Sequence, residues 1–424
     1  MSDPKLSTCI STREPELDNC DASSNHSVSA AEIVEKAAFT FDGALAETEV
    51  YKRVIRKRST STFKTIITAE SRWSQLSGLS LSQISCIAVI SLPIDTSELP
   101  SSYWPSYTYT DGSMSLHHAA RKGDDTTVRL LVETMGTDKE AKDNFGWTPL
   151  HWAADGGSDT AVRLLVQTLG ANIESKSETG STALHLAARN GHLTTMQLLV
   201  NTFGADIEVK DGTDGGTPLH WAASKGHFTA IRTLVTALGA DKDAKDNNCE
   251  TPLHWAATKG KNVAVRTLVE VCGAHIEAKN ISGSTALHLA ARNGRNSTVQ
   301  LLIMTLNADK HARDNGGGTP LHWAASNGHK NTTGLLIKAM GVDKEMKDND
   351  GGTSLHWAAA KGHDSTVKLL VGEFGADKDA RDHDGETPLH WAAYSGNEST
   401  VRLLAEMIRV DLNANSIDRS TVGY

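Results

Sequence analysis

Short segments with apolar residues at helical spacing follow one another in pairs along the chain after about residue 110, and the stretch 251–284 illustrates the pattern. Thr251 is a favourable N-cap and Pro252 suits the first helical position, so a helix is predicted to begin there. Gly260 is placed to end that helix in the left-handed conformation. Residues 263–271 predict a second helix, which a loop connects to the next pair.

The same pattern recurs nine times at a nearly fixed interval. One histidine marks its register, and successive copies lie 34 residues apart except for one step of 35 between His185 and His220. The nine are His117, His151, His185, His220, His254, His288, His322, His356 and His390. Self-similarity at this period indicates a stacked repeat, in which each unit covers the apolar side of its neighbours.

A threonine stands three residues before eight of these histidines. We expect the threonine to cap the first helix and the histidine to reach back to it, as glutamate does in a capping box. The pairs with this structural role are Thr148 and His151, Thr182 and His185, Thr217 and His220, Thr251 and His254, Thr285 and His288, Thr319 and His322, Thr353 and His356, and Thr387 and His390.

The phrase Thr-Pro-Leu-His-Trp-Ala-Ala at 148–154 and its variants resemble the ankyrin repeat, over roughly residues 112–415. The resemblance implies an all-α fold, a solenoid of nine helix-turn-helix units with β-hairpin loops. The spacing is similar to that of arrays common in filamentous fungi. Each unit has one residue more than the family pattern, and we expect it to lengthen the end of the second helix, as at 168–170.

Four parts are predicted along the chain: a disordered tail at 1–28, a helical and capping region with an aromatic linker at 29–108, nine repeats at 109–415 and a C-terminal tail at 416–424. The N-terminal region is thus expected to be partly disordered and partly helical. Residues 73–94 contain no charge. We interpret them as a segment that caps the array, with a membrane-associated helix as the alternative.

One predicted helix in the N-terminal region ends in a basic cluster, which consists of Lys52, Arg53, Arg56, Lys57 and Arg58. The cluster is consistent with a nuclear localisation signal, with a DNA-contacting helix, or with a solvated helix end whose cations suit the helix dipole.

The net charge of −9 is spread without an acidic or basic block inside the array. Nucleic acid is therefore not the expected main partner, and a membrane is not expected either. The five cysteines show no paired spacing, which favours free thiols in a reducing compartment, the cytoplasm or the nucleus.

The eighteen histidines do not predict chemistry. Nine mark the repeat, and capping histidines one repeat apart are too distant to share a metal ion. The chain has no P-loop, His-Glu-x-x-His or Gly-x-Ser-x-Gly motif. We expect a protein that is not an enzyme, with no cofactor, metal or small-molecule substrate.

The resemblance implies that a protein partner binds to the concave face of the first helices and to the hairpin tips. Basic residues precede the glycine that ends several first helices, and two aromatic residues stand at one tip. The candidate partner-binding residues are Arg121, Lys122, Phe145, Trp147, Arg189, Lys225, Lys259, Arg292 and Lys361. They could anchor an acidic or polar peptide, or they could form a solvated face.

The sequence thus favours a scaffold or adaptor that binds another protein. One alternative is a nuclear transcriptional co-regulator directed by the basic cluster at 52–58. Another is the regulatory part of an immune-type or signalling protein.

Overall fold

The computed structural model describes residues 113–421 of the 424-residue chain, with side chains at 115–409. Eighteen helices in this part form nine consecutive pairs, repeats 1–9, and confirm the all-α solenoid. In chain order the pairs are α1 (Ser113–Lys122) and α2 (Asp125–Arg129), α3 (Pro149–Gly156) and α4 (Asp159–Arg163), α5 (Ala183–Asn190) and α6 (Leu193–Gln197), α7 (Pro218–Lys225) and α8 (Phe228–Arg232), α9 (Pro252–Thr258) and α10 (Asn262–Arg266), α11 (Ala286–Arg292) and α12 (Asn296–Gln300), α13 (Pro320–Ser326) and α14 (Lys330–Gly334), α15 (Ser354–Ala360) and α16 (Asp364–Lys368), and α17 (Pro388–Tyr394) and α18 (Glu398–Thr421).

The second helix of each of the first eight repeats continues as a π-helical turn. In repeat 2 the Leu169 N–H donates to the Leu164 carbonyl at 3.0 Å, a bond that spans five residues. A wider turn takes up one additional residue, so the longer repeat is accommodated inside the helix end. The π-helical turns are Leu130–Thr134, Leu164–Thr168, Leu198–Thr202, Thr233–Ala237, Thr267–Val271, Leu301–Thr305, Leu335–Ala339 and Leu369–Glu373.

The last helix differs from the other second helices. α18 remains α-helical over 24 residues and passes residue 415 without interruption. Its counterparts end after a five-residue α-helical segment and a π-helical turn.

First helices pack side by side along the array, because their contact surfaces are made of alanine. Ala153 and Ala154 of α3 are fully buried, as are Ala187 and Ala188 of α5. Side chains this small let two backbones approach closely, and the leucine that precedes the histidine, such as Leu150, is buried in each of repeats 1–8. Each first helix therefore packs on the first helix of the next repeat, from repeat 1 to repeat 9.

The loops between repeats are tight turns joined from one repeat to the next. No strand is formed within residues 113–421, where a single isolated bridge links Lys347 and Thr353. The Glu178 N–H instead donates to the Phe145 carbonyl of the previous loop at 3.0 Å. The expected β-hairpins are thus turns without a ladder. The one step of 35 residues is absorbed in such a turn, at 211–216.

Candidate partner-binding face

Each capping histidine is held by its own threonine. The Thr148 N–H donates to Nδ1 of His151 at 3.2 Å, and the threonine hydroxyl oxygen lies 2.9 Å from the same nitrogen. The arrangement recurs in all eight threonine-histidine pairs, from repeat 2 to repeat 9. Since Nδ1 accepts, the ring proton resides on Nε2 and is available to a second partner.

That second partner belongs to the next repeat. His151 donates from Nε2 to the Ser181 carbonyl at 2.9 Å, and His254 donates to the Ser284 carbonyl at 3.1 Å. Burial lowers the pKa of four of these rings, His151, His185, His254 and His288, to about 4. The imidazoles are neutral links between repeats, with both nitrogens occupied. Over the described residues no three potential metal ligands converge on one point.

The tryptophan that follows the histidine is tied to the turn at the start of its own repeat. The Trp255 indole N–H donates to Asp246 Oδ2 at 2.8 Å, while Oδ1 of the same carboxylate accepts N–H groups of the turn. Six repeats share this pairing: Trp152 with Asp143, Trp221 with Asp211, Trp255 with Asp246, Trp323 with Asp314, Trp357 with Asp348 and Trp391 with Asp382. The two repeats with leucine instead of tryptophan have Ser177 and Asn280 in place of the aspartate.

The tryptophan also contacts the preceding repeat. A Cβ added at Gly216 would lie 2.8 Å from the Trp255 ring, so this position must be small. Gly216 directly precedes the capping threonine of its repeat. Wherever the next repeat carries tryptophan and this position is described, the residue there is glycine or serine. Before the two leucine repeats it is large, Trp147 and Glu250. A small residue in one repeat therefore faces a tryptophan in the next, and a large residue faces a leucine. Sequence reasoning missed this pairing, because it can be recognised only when the positions that face each other are known.

Three of the candidate arginines lie over tryptophan rings of the following repeat. The guanidinium carbon is 5.5 Å from the ring centroid for Arg121 over Trp152, 5.8 Å for Arg189 over Trp221 and 5.0 Å for Arg292 over Trp323. Arg121 in addition forms an ion pair with Asp155 at 3.0 Å. At the distance of a salt bridge, neither Arg189 nor Arg292 has a carboxylate partner within the described part of the chain.

The candidate lysines occupy the next position in the repeat: Lys122 and Lys225 are the last residues of their first helices, and Lys259 and Lys361 directly follow theirs. All four are exposed, and none forms an ion pair with a described residue. Together with the arginines they form what we call the first-helix face, which consists of Arg121, Lys122, Arg189, Lys225, Lys259, Arg292 and Lys361.

The two candidate aromatic residues at a loop tip differ in exposure. Phe145 is 47% exposed, whereas Trp147 is half-buried against Trp152 at a centroid distance of 6.2 Å. Another tip carries Ile281, which is 68% exposed and was not among the candidates. An apolar residue where other tips are polar is the signal that could have identified it.

The basic cluster at 52–58 and the uncharged segment at 73–94 lie outside the described residues. Among the helices of residues 113–421, none combines the length and apolar composition needed to cross a bilayer.

Comparison with known families agrees with the geometry. A family model for ankyrin repeats, spanning three copies, matches residues 105–177, 167–246, 219–314, 253–348, 298–382 and 321–416. A search of curated proteins returned no match. Since the matched segments cover most of the chain and every repeat in the described part of them has the helix pair, the chain belongs to the ankyrin-repeat family.

Proposed function

We propose that this protein is a scaffold or adaptor that binds an acidic polypeptide through the first-helix face, with Phe145 and Ile281 extending the surface at the loop tips. Ankyrin repeats are in general protein–protein interaction modules. The observation that carries the proposal is that Arg189 and Arg292 each lie over an indole ring, at 5.8 and 5.0 Å from its centroid, and form no salt bridge with a carboxylate of the described residues.

Stacking prepares an arginine for binding. A free arginine loses side-chain entropy when it is immobilised by a ligand, whereas the ring already restricts Arg189 and Arg292. The planar guanidinium then presents paired N–H donors that match a carboxylate. Exposed Lys225, Lys259 and Lys361 add longer-range attraction on a chain whose net charge is −9. A peptide would therefore be attracted along the face and held at the arginines.

The function is binding without catalysis. The buried histidines use both ring nitrogens within the array, and their pKa is lowered by burial, so they are poorly suited to exchange protons with a substrate. We place the protein in the cytoplasm or the nucleus. Imaging the full chain with and without residues 52–58 distinguishes a cytoplasmic adaptor from the nuclear co-regulator, because loss of nuclear signal on deletion would favour the latter.

Selection from a random peptide display library tests the proposal. Peptides recovered on the full chain should be enriched in aspartate and glutamate, and binding should weaken at least tenfold when Arg189 and Arg292 are both replaced by glutamine, about 1.4 kcal/mol or more. The matched control replaces Arg163 and Arg266 by glutamine. These are exposed arginines of the second helices, and the control should bind as the wild type does. Recovery of neutral or basic peptides, or equal loss in the control, would refute the proposal.

A further inference from the structure

Two of the arginine–tryptophan pairs are copies of one another. Residues 171–200 and 274–303 align without a gap at an offset of 103, and Arg189 and Arg292 are equivalent in this alignment. Both stack on the tryptophan of the next repeat. We call these two pairs the anchors: Arg189 with Trp221, and Arg292 with Trp323.

The anchors share their support as well as their sequence. Each indole donates its N–H to an aspartate of its own turn, at 2.8 Å for Trp221 and 2.7 Å for Trp323. A ring fixed at one edge by a carboxylate presents a constant surface to the guanidinium above it. Both anchors are therefore built on a tryptophan–aspartate pairing that six of the nine repeats share.

A third stack shows what makes the anchors different. Arg121 stacks on Trp152 in the same way, but the position one repeat further on is Asp155, which neutralises it. The corresponding positions after Arg189 and Arg292 are Ser224 and Ser326. A serine cannot form the ion pair, so neither anchor is neutralised from this position.

The distance between the anchors follows from the repeat. They are three repeats apart, and packed helices lie about 8–10 Å from one another, which gives a separation of roughly 25–30 Å. An extended polypeptide covers this distance with about eight or nine residues.

We propose that the two anchors act together and that the partner is an acidic polypeptide with two carboxylate clusters, one for each anchor. This inference rests on the proposed function and specifies its partner. Binding at one anchor raises the effective concentration of the second cluster at the other, so two weak sites give tight binding only to a ligand of sufficient reach.

The surroundings of the anchors are not identical. Half-buried Glu250 lies near Arg292, although not within ion-pair distance, whereas Trp147 occupies the equivalent position before Arg189. A nearby carboxylate reduces the attraction of Arg292 for an acidic ligand. We therefore expect the Arg189 anchor to bind such a ligand more tightly, by less than about tenfold.

Arginine side-chain NMR on the full chain tests the two anchors separately, with a short glutamate peptide as the probe. The Nε–H signals of Arg189 and Arg292 should both shift on titration, and those of Arg163 and Arg266 should not. A shift at only one anchor would overturn the inference and leave the proposed function intact. No shift at either anchor, or equal shifts at all four arginines, would overturn both.

A tandem peptide then tests the coupling. Two blocks of two glutamates joined by a Gly-Ser linker of about 25 residues, the long tandem, can span both anchors. Two such blocks joined directly, the short tandem, extend over at most about 14 Å and cannot. The long tandem should bind at least tenfold more tightly than one block, whereas the short tandem should bind like one block. Arg189→Gln or Arg292→Gln alone should each remove the gain, with unchanged circular dichroism as the control for folding. Equal affinities for both tandems, or a gain that survives either substitution, would overturn the inference.

Discussion

Repeats 5 and 9 contain the same seven residues, at 251–257 and at 387–393, yet their histidines differ. His254 is fully buried and its pKa is lowered to about 4, whereas His390 is exposed. Both accept a hydrogen bond from their own threonine. The burial of the histidine and its low pKa therefore come from the repeat that follows, and the phrase itself supplies only the cap.

The adjacent tryptophan behaves in the opposite way. Trp255 and Trp391 both pack edge-on against the histidine of the preceding repeat, at 5.2 and 5.3 Å between ring centroids. Both donate to an aspartate of their own turn. Within one phrase, the histidine thus joins a repeat to its successor and the tryptophan joins it to its predecessor.

The largest change in the free energy of unfolding is expected from a fall in pH, because it protonates the buried histidines of the internal repeats. The pKa of four internal histidines is lowered from 6.5 to about 4 in the folded state, so the unfolded chain binds more protons between these values. Their stabilising contribution is complete above pH 6.5 and is lost as the pH falls towards 4. Each contributes at most roughly 3 kcal/mol, and together they approach the whole stability of a typical domain, about 5–15 kcal/mol. Urea unfolding from pH 7 to 4 should show this loss, and a constant midpoint would contradict it.

Single substitutions separate the two kinds of histidine. His254→Ala leaves the Thr251 N–H and the Ser284 carbonyl without partners in a buried site, at a cost of about 2–4 kcal/mol. His390→Ala removes only the cap of the last repeat, for which we expect about 1 kcal/mol or less. Equal losses in chemical denaturation would show that the following repeat contributes nothing to this link.

The smallest difference in stability loss between repeats 5 and 9 is expected when their tryptophans are replaced. Trp255→Leu and Trp391→Leu each remove an indole from its aspartate and from the preceding histidine, at a cost of about 2–3 kcal/mol. Because the contacts lie on the same side in both repeats, the two losses should agree within about 1 kcal/mol. Amide exchange of the affected repeat measures each loss locally, and a much smaller loss for Trp391 would contradict the direction assigned to this contact.

Features of the fold that depend on residues close together in the sequence could be predicted. The threonine cap and the ends of the first helices follow from Thr251, Pro252 and Gly260, which act within one turn of the chain. The π-helical turn could not be predicted, because an additional residue near a helix end is compatible with either a longer loop or a wider turn.

The anchors could be predicted only in part. Arg189 and Arg292 are identified as candidate binding residues by their basic character and their position two residues before a glycine, and the structure leaves Arg292 exposed and Arg189 half-buried. Their stacking on Trp221 and Trp323 crosses a repeat boundary, so it depends on the register of the stack. The ion pair of Arg121 with Asp155 could not be predicted from the sequence either, because equivalent positions in adjacent repeats lie close together only after folding.

The central claim is that the partner binds to the first-helix face, and hydrogen–deuterium exchange tests it most directly. The full chain should be measured with and without an acidic peptide recovered by display. The account predicts slower exchange at 186–192 and 289–295, with the second-helix segments at 159–168 and 262–271 unchanged. Protection confined to those second-helix segments would contradict it.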